Sequence, residues 1–482
     1  MKTRMFALGL VLLAVAAVRG QETKPGPPNA KDAVTYKDHV QPILRKHCVN
    51  CHNPDKATSD LNVMSYQTLM QGGASGEAVS PGKPEQSLLY RLVAHLDEPS
   101  MPPKQPKIPE TELATIKRWI ELGAPDTAAA AAKNSARKVE LDLATVTLGK
   151  PDGPPPMPIS LASVQLPRTA RAHPVTALAA SPWAPLIAVA GHERILLYHS
   201  DTLALLGVLP FPERIPYVLK FSRNGRLLLA AGGRGAESGK VVLFDVATGQ
   251  RKAEIGDESD AVLAADISAN QRLVALGGPS KLVKIFDTET GQMRQRIKKH
   301  TDWVTAIEFS PDGELLASGD RNGGAYIWEA ATGGIVFTLG DHREAVTDLS
   351  WRADSQMLAS SSEDGRVILW YAEDGFPTRT LNAHADGCAA RPASPRNRLP
   401  GVLSVRYAAN GSFATVGRDS SARVWRSDGA QLAKFEGFGD IPSRVVLSHD
   451  GERLFAGDYT GRIRIWTVKD KQLVGELSTN PE

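Results

Sequence analysis

Cysteine is nearly absent from this chain: 482 residues carry three, Cys48, Cys51 and Cys388. Three are too few to staple a protein of this length, which must instead bury apolar cores. Long apolar runs are also missing. The longest uncharged apolar stretch covers 14 residues, 5–18, and a membrane-spanning helix needs about 20. Charge of one sign is lacking too. The formal net charge is only +3, so there is no basic footprint for nucleic acid. No Ser-His-Asp set, paired carboxylates or phosphate-cradling loop stands out. The length allows two or three domains.

The first 20 residues, "MKTRMFALGLVLLAVAAVRG", place Lys2 and Arg4 before the apolar run. Val18 and Gly20 are the small residues that cleavage after Gly20 requires. This is the pattern of a cleaved secretory signal rather than a membrane anchor. Lys2, Arg4 and Arg19 leave with it, taking the mature chain from +3 to zero. The expected location is periplasmic or otherwise exported, with no transmembrane anchor after cleavage.

Two of the three cysteines sit together in "HCVNCH", residues 47–52. A short-loop disulfide is one use for them. Zinc is another, but no second CxxC or His pair completes four ligands. The histidine directly after Cys51 points to a third use, because CxxCH is the attachment signal for c-type haem. The two thiols add across the haem vinyl groups, and the adjacent imidazole of His52 reaches the iron. Only 11 histidines occur in the chain, so one there by chance is rare. Upstream, Val40, Ile43 and Leu44 share one face of a short helix leading into the motif. Downstream, "IPETELATIKRWIELGAP" (108–125) begins with Pro109 and acidic residues and stops at Gly123. Its Leu113, Ile116, Trp119 and Ile120 form an apolar stripe.

Four residues are candidates for the sixth iron position: Met64, Met70, His95 and Met101. Met101 lies in "EPSMPPKQP", where Pro99, Pro102 and Pro103 stiffen the loop. Met64 and Met70, with Leu61 and Leu69, have the spacing of core packing. His39 and His47 are expected on the surface. The metal ligands are therefore expected to be His52 and Met101, with Cys48 and Cys51 binding the cofactor.

With "VQPILRKHCVNCH", "LNVMSYQTLMQGG", "SPGKPEQSLLYRLV", "SMPPK" and "LATIKRWIELGAPD", residues 36–126 resemble the cytochrome c-type domain of planctomycete and related bacterial exported proteins. The resemblance implies one covalent haem c held at Cys48 and Cys51, His52 as proximal ligand and Met101 as distal ligand.

An alanine-rich and then Pro/Gly-rich stretch follows and reads as a linker. Beyond it the chain repeats. The aromatics Tyr198, Phe244, Phe286, Trp328, Trp370, Trp425 and Trp466 are separated by 46, 42, 42, 42, 55 and 41 residues. A period of 40–45 with a terminal aromatic is the WD40 pattern of four strands per propeller blade. Residues 173–479 resemble a WD40 propeller of seven blades. The plan is a signal at 1–20, an all-α haem domain at 31–126, a linker at 127–165 and an all-β seven-bladed propeller at 166–482. Blade seven carries its own last strand, so "ISLASVQL" (159–166) is expected to add an outer strand.

His300, His342 and His384 recur every 42 residues. In WD40 blades such a His joins a Ser or Thr, an Asp and a Trp in a buried hydrogen-bond network, so these are expected to be structural and not metal ligands. Blade five offers His342, Ser360, Asp364 and Trp370, and blade six offers His384, Thr415, Asp419 and Trp425. Blade four has Asn322, and blade seven Thr460, where the Asp is expected.

The expectation is an electron-transfer protein, with no catalytic residues, whose propeller docks a redox partner protein. The alternatives are a redox enzyme whose propeller binds a substrate or second cofactor, and a haem-based sensor. Two insertions, "GGRGAESGK" (232–240) and "ADGCAARPASPRNRLPG" (385–401), are expected on one propeller face. The second holds Arg391, Arg396 and Arg398 and is a candidate docking loop for an acidic partner. Cys388, in the same loop, reads as an incidental unpaired thiol.

Overall fold

The computed structural model describes residues 34–127, 141, 143, 146–159, 161, 169–384 and 401–481. The signal segment, Cys388 and the three loop arginines lie outside them. The described chain forms two compact units.

The first unit is helical. A turn of π-helix, Tyr36–Val40, runs directly into α1, Gln41–His47. The expected apolar face is present, with Val40, Ile43 and Leu44 all buried. α2 (Tyr66–Gln71) and α3 (Leu88–Val93) are short. α4, Glu110–Glu121, buries Leu113, Ile116, Trp119 and Ile120. Pro109 stands at its N-cap, and the backbone N–H of Gly123, in the left-handed region at φ +83°, donates to Ile120 O. The first and last segments are stitched together. Tyr36 N donates to Pro125 O at 2.8 Å and Lys37 N to Asp126 O at 3.1 Å. Trp119, fully buried, donates its Nε1–H to Pro125 O at 3.0 Å.

The second unit is a seven-bladed propeller. Its blades span 178–210, 215–258, 264–297, 304–339, 346–381, 402–435 and 442–478, each a four-stranded antiparallel sheet. We call the strands a to d from the channel outward. Seven apolar clusters each straddle one seam between neighbouring blades, the last joining blade seven to blade one through residues such as Phe455, Ile463, Ile187 and Leu196. Each sheet is thus covered on both faces, which is why its inner strands read as continuous apolar runs rather than alternating ones. Strand b of blade one, Leu186–Gly191, is buried at every position.

In all seven blades the c–d pairing shifts register at the repeat aromatic, from Tyr198 to Trp466. Blade seven supplies its own strand d, Leu473–Ser478, as expected. Ring closure then relies on side chains and a few backbone bonds. Ser443 Oγ donates to Val175 O at 2.7 Å, Val175 N to Asp458 O at 3.1 Å, and Thr479 Oγ1 to His173 O at 2.7 Å. Most of the outer strand expected at 159–166, residues 160 and 162–166, lies outside the described residues. Ile159 and Leu161 are in no strand; Leu161 packs into the core between blades one and two. The insertion at 232–240 is also different from a plain loop. The two strands extend to an Arg234–Ser238 pairing, making a long hairpin with a tight tip.

Candidate functional site

The CxxCH motif begins where α1 ends. Cys48 is the helix C-cap, and its carbonyl accepts from Cys51 N at 3.2 Å and His52 N at 3.0 Å, so the motif closes on itself as a tight turn. Cys48 is partly buried and Cys51 exposed, both as free thiols. Burial, reinforced by Cys51, pushes the Cys48 thiol up to about 11.

His52 is oriented by the loop that follows. Its Nδ1 lies 3.0 Å from Thr58 O. A carbonyl only accepts, so Nδ1 carries the proton and Nε2 presents its lone pair outward. A histidine that binds a metal through one nitrogen is held this way by the other. The loop itself is tied down by Thr58 N to Cys51 O at 3.1 Å and Val63 N to His52 O at 3.1 Å. Buried Tyr36 secures its far end, donating its hydroxyl to Val63 O at 2.8 Å.

Met101 is half-buried and packs, like Cys48, against the core of the helical unit. Its N–H donates to Leu92 O at 3.0 Å. Its carbonyl oxygen accepts from His95 Nε2 at 3.2 Å. The peptides before Pro99 and Pro102 are both cis. His95, a rival for the iron by sequence, thus has a ring nitrogen engaged with the backbone of Met101. Met70 packs on the core, whereas Met64, expected there, is 38% exposed.

His47, expected on the surface, is partly buried. Its Nε2 sits 2.7 Å from Glu112 Oε2, and Lys46 Nζ 2.8 Å from Oε1 of the same carboxylate. The pair ties α1, immediately before Cys48, to the first turn of α4. Lys46 first and then His47 hold the Glu112 carboxyl below its ordinary range. Neither this clamp nor Thr58 carries any motif by which the sequence would reveal it. His39 is exposed, as expected.

In the propeller, the recurring histidines are structural. His342 Nδ1 lies 3.1 Å from Asp364 Oδ2 and Nε2 2.7 Å from Ser360 Oγ, which also accepts from Trp370 Nε1 at 2.8 Å. His384 bonds Asp419 at 2.8 Å and Thr415 at 2.8 Å, with Trp425 Nε1 on the same threonine at 2.9 Å. Gly417 is required here: a Cβ on it would come within 2.3 Å of the His384 ring. Blade four departs from expectation. Its carboxylate comes not from the position of Asn322 but from Asp320, two residues earlier and 2.9 Å from His300 Nδ1. In blade seven Asp458 takes that same place, and Thr460 caps it instead of replacing it. Phe438 precedes strand a where blades four to six have His, and its ring meets Trp466 edge-on at 5.2 Å. One oxygen of Asp458, Oδ2, is buried with no hydrogen-bond partner. Among the described residues no group of three His, Cys, Asp or Glu side chains is placed to hold a metal ion.

These features define a small helical unit with a CxxCH motif joined to a seven-bladed β-propeller. Residues 48–105 match the family model for planctomycete cytochrome C, and residues 291–329 and 333–371 each match the model for the WD domain, G-beta repeat. The chain carries a planctomycete-type cytochrome c domain and a WD40-repeat propeller. The matched repeats contain most of blades four and five, two of the three with a complete His network. No curated protein matches the chain. No described helix is long and apolar enough to cross a membrane.

Proposed function

We propose that the protein is an exported c-type cytochrome with one covalent haem, that it transfers electrons, and that its propeller docks a redox partner protein. The observation that carries this reading is the pairing of His52 Nδ1 with Thr58 O beside Cys48 and Cys51. It leaves Nε2 for the iron, so the residues present fit the cofactor that the matched family implies. Cys48 and Cys51 would hold the haem covalently, His52 and Met101 would bind its iron, and the bound group would supply a one-electron centre. His95 holds the Met101 loop by its carbonyl, and the Lys46–His47–Glu112 clamp holds the helix that delivers the cysteines.

Absorption spectra of the purified protein, oxidised and reduced, with and without carbon monoxide, test the reading. One c-type haem indifferent to carbon monoxide is expected; a second chromophore would point to a redox enzyme instead. Met101→Ala should retain the haem, lower its potential and open the iron to ligands, since a thioether favours reduced iron. An unchanged spectrum and potential would remove Met101 from the site.

A further inference from the structure

The strands that line the propeller channel carry an unusual concentration of charge. Glu308, in strand a of blade four, is 7% exposed and faces three cations. Lys220 Nζ lies 2.7 Å from it, Arg406 Nη1 2.7 Å and Arg223 Nη2 3.6 Å. Arg406 also reaches Asp348 at 2.9 Å, and Asp348 accepts from Ser404 Oγ at 2.8 Å. Asp266 accepts from Phe309 N at 2.8 Å and sits 3.8 Å from Lys220. Every carboxylate in the channel is therefore engaged.

The cations are not all engaged in return. Arg444, in strand a of blade seven, donates only to backbone carbonyls, Ser443 O at 3.0 Å and Leu403 O at 3.4 Å. Four cationic side chains, Lys220, Arg223, Arg406 and Arg444, thus meet three carboxylates. Burial is also unequal in its effect. It raises the Asp266 carboxyl, with Glu308 adding to the rise and Lys220 and Arg223 opposing it. Glu308 is raised by burial, but Lys220, Arg406 and Arg223 outweigh that and keep it below its ordinary range. Burial pulls Arg444 down, and the attraction of Asp348, with which it makes no ion pair, does not offset it.

The excess lies beside open space. A cavity of about 440 Å³ opens at the end of the channel formed by the a–b loops, and Lys220 and Arg406 border both it and a chamber of about 40 Å³ that Arg444 lines. The larger volume is in the range of small-molecule sites, and its wall is partly apolar, including Trp183, Leu219 and Val446. Tyr407 and His449 also border it, and Tyr407 Oη and His449 Nδ1 are buried with no hydrogen-bond partner. Buried polar groups are nearly always paired, so both side chains have a hydrogen bond still to make.

We propose that the propeller channel binds a small organic acid, its carboxylate paired with Arg444 and its apolar body lodged in the wider mouth. The surplus guanidinium supplies the charge for which the channel has no protein partner.

Calorimetric titration of the full-length haem-loaded protein with benzoate at low ionic strength tests this. One saturable site is expected, with the neutral benzamide at least about tenfold weaker. Arg444→Gln should weaken benzoate by a similar factor, and Tyr407→Phe, which removes only a hydroxyl, by a smaller one. If Arg444→Gln fails to fold, Tyr407→Phe and His449→Ala carry the test. The proposal is overturned if benzoate shows no saturable binding, which would leave a channel of ordered water, if benzamide binds equally well, or if the folded variants bind benzoate like the parent. None of these outcomes bears on the haem, which the absorption spectrum reports separately.

Discussion

The networks of blades four to six show how much a single side chain can hold. Asp364 accepts from His342 and is also 2.7 Å from Arg366 Nη2. Its carboxyl lies well below the ordinary range because these partners outweigh its burial. Asp364→Ala leaves a buried imidazole unpaired and should cost about 1–3 kcal/mol, read by denaturant unfolding, with the haem spectrum untouched. A redox change in the folded variant would contradict that purely structural role. Blade six predicts a pH dependence. Burial holds His384 below its ordinary value despite Asp419, so the unfolded chain binds that proton more readily than the folded one. Its contribution is complete above about pH 6.5 and is lost as the pH falls below that. Asp419 is raised by burial, but His384, Ser421 and Arg423 bring it down to about 2, so its own contribution is lost below about pH 4. Urea unfolding across pH should show both losses, and His384→Gln should abolish the first while lowering stability at neutral pH. Such a variant with an unaltered slope between pH 7 and 5 would refute the assignment.

At the scale of elements, legibility followed repetition. The aromatic spacing located the blades because each aromatic closes strand c at a register shift, and a constraint met seven times leaves a periodic trace. The pattern of four strands per blade is met in blade four by Val304–Phe309, Leu315–Asp320, Ala325–Glu329 and Ile335–Leu339. Singular arrangements left no trace. The shift from Asn322 to Asp320 keeps the carboxylate at the same imidazole through a different backbone position, which spacing alone does not reveal. The Glu112 clamp, the Thr58 carbonyl and the channel charges depend on pairings across the fold between residues of ordinary type. Seams are also built one bond at a time. Thr347 Oγ1 donates to Val402 O at 2.7 Å, as Thr305 Oγ1 does to Val346 O and Ser443 Oγ to Val175 O. Thr347→Val keeps the shape and removes the donor, so it should cost about 1 kcal/mol. A shift of the unfolding midpoint, at constant denaturant slope, measures it; no shift would show the bond to be energetically idle.

At the scale of the molecule, closure of the ring is the most exposed step. Among the described residues no blade borrows a strand from the other end of the chain, so blades seven and one meet through packing and through bonds of Ser443, Val175, Thr479, Tyr198, Arg453, Arg194 and Asn480. Tyr198 Oη donates to Ser478 O at 3.0 Å, and Arg453 Nη1 to Ser200 O at 2.7 Å. Deleting residues 473–482 removes strand d of blade seven and uncovers the adjoining core. The truncated protein should lose its single cooperative propeller transition in calorimetry while the helical unit still binds haem. Retention of the full transition would show that the strand contributes little to closure.

That same contiguity of every blade has a topological consequence. Because no sheet among the described residues is shared between the two chain ends, and Thr479 already touches His173, the order of blades along the gene is arbitrary with respect to the ring. The polypeptide can be re-cut between any two blades and rejoined across the present seam, a circular permutation, without dividing a sheet. Such a re-cut would move the channel arginine and the helical unit to new places in the sequence while leaving the blades as neighbours around the same axis.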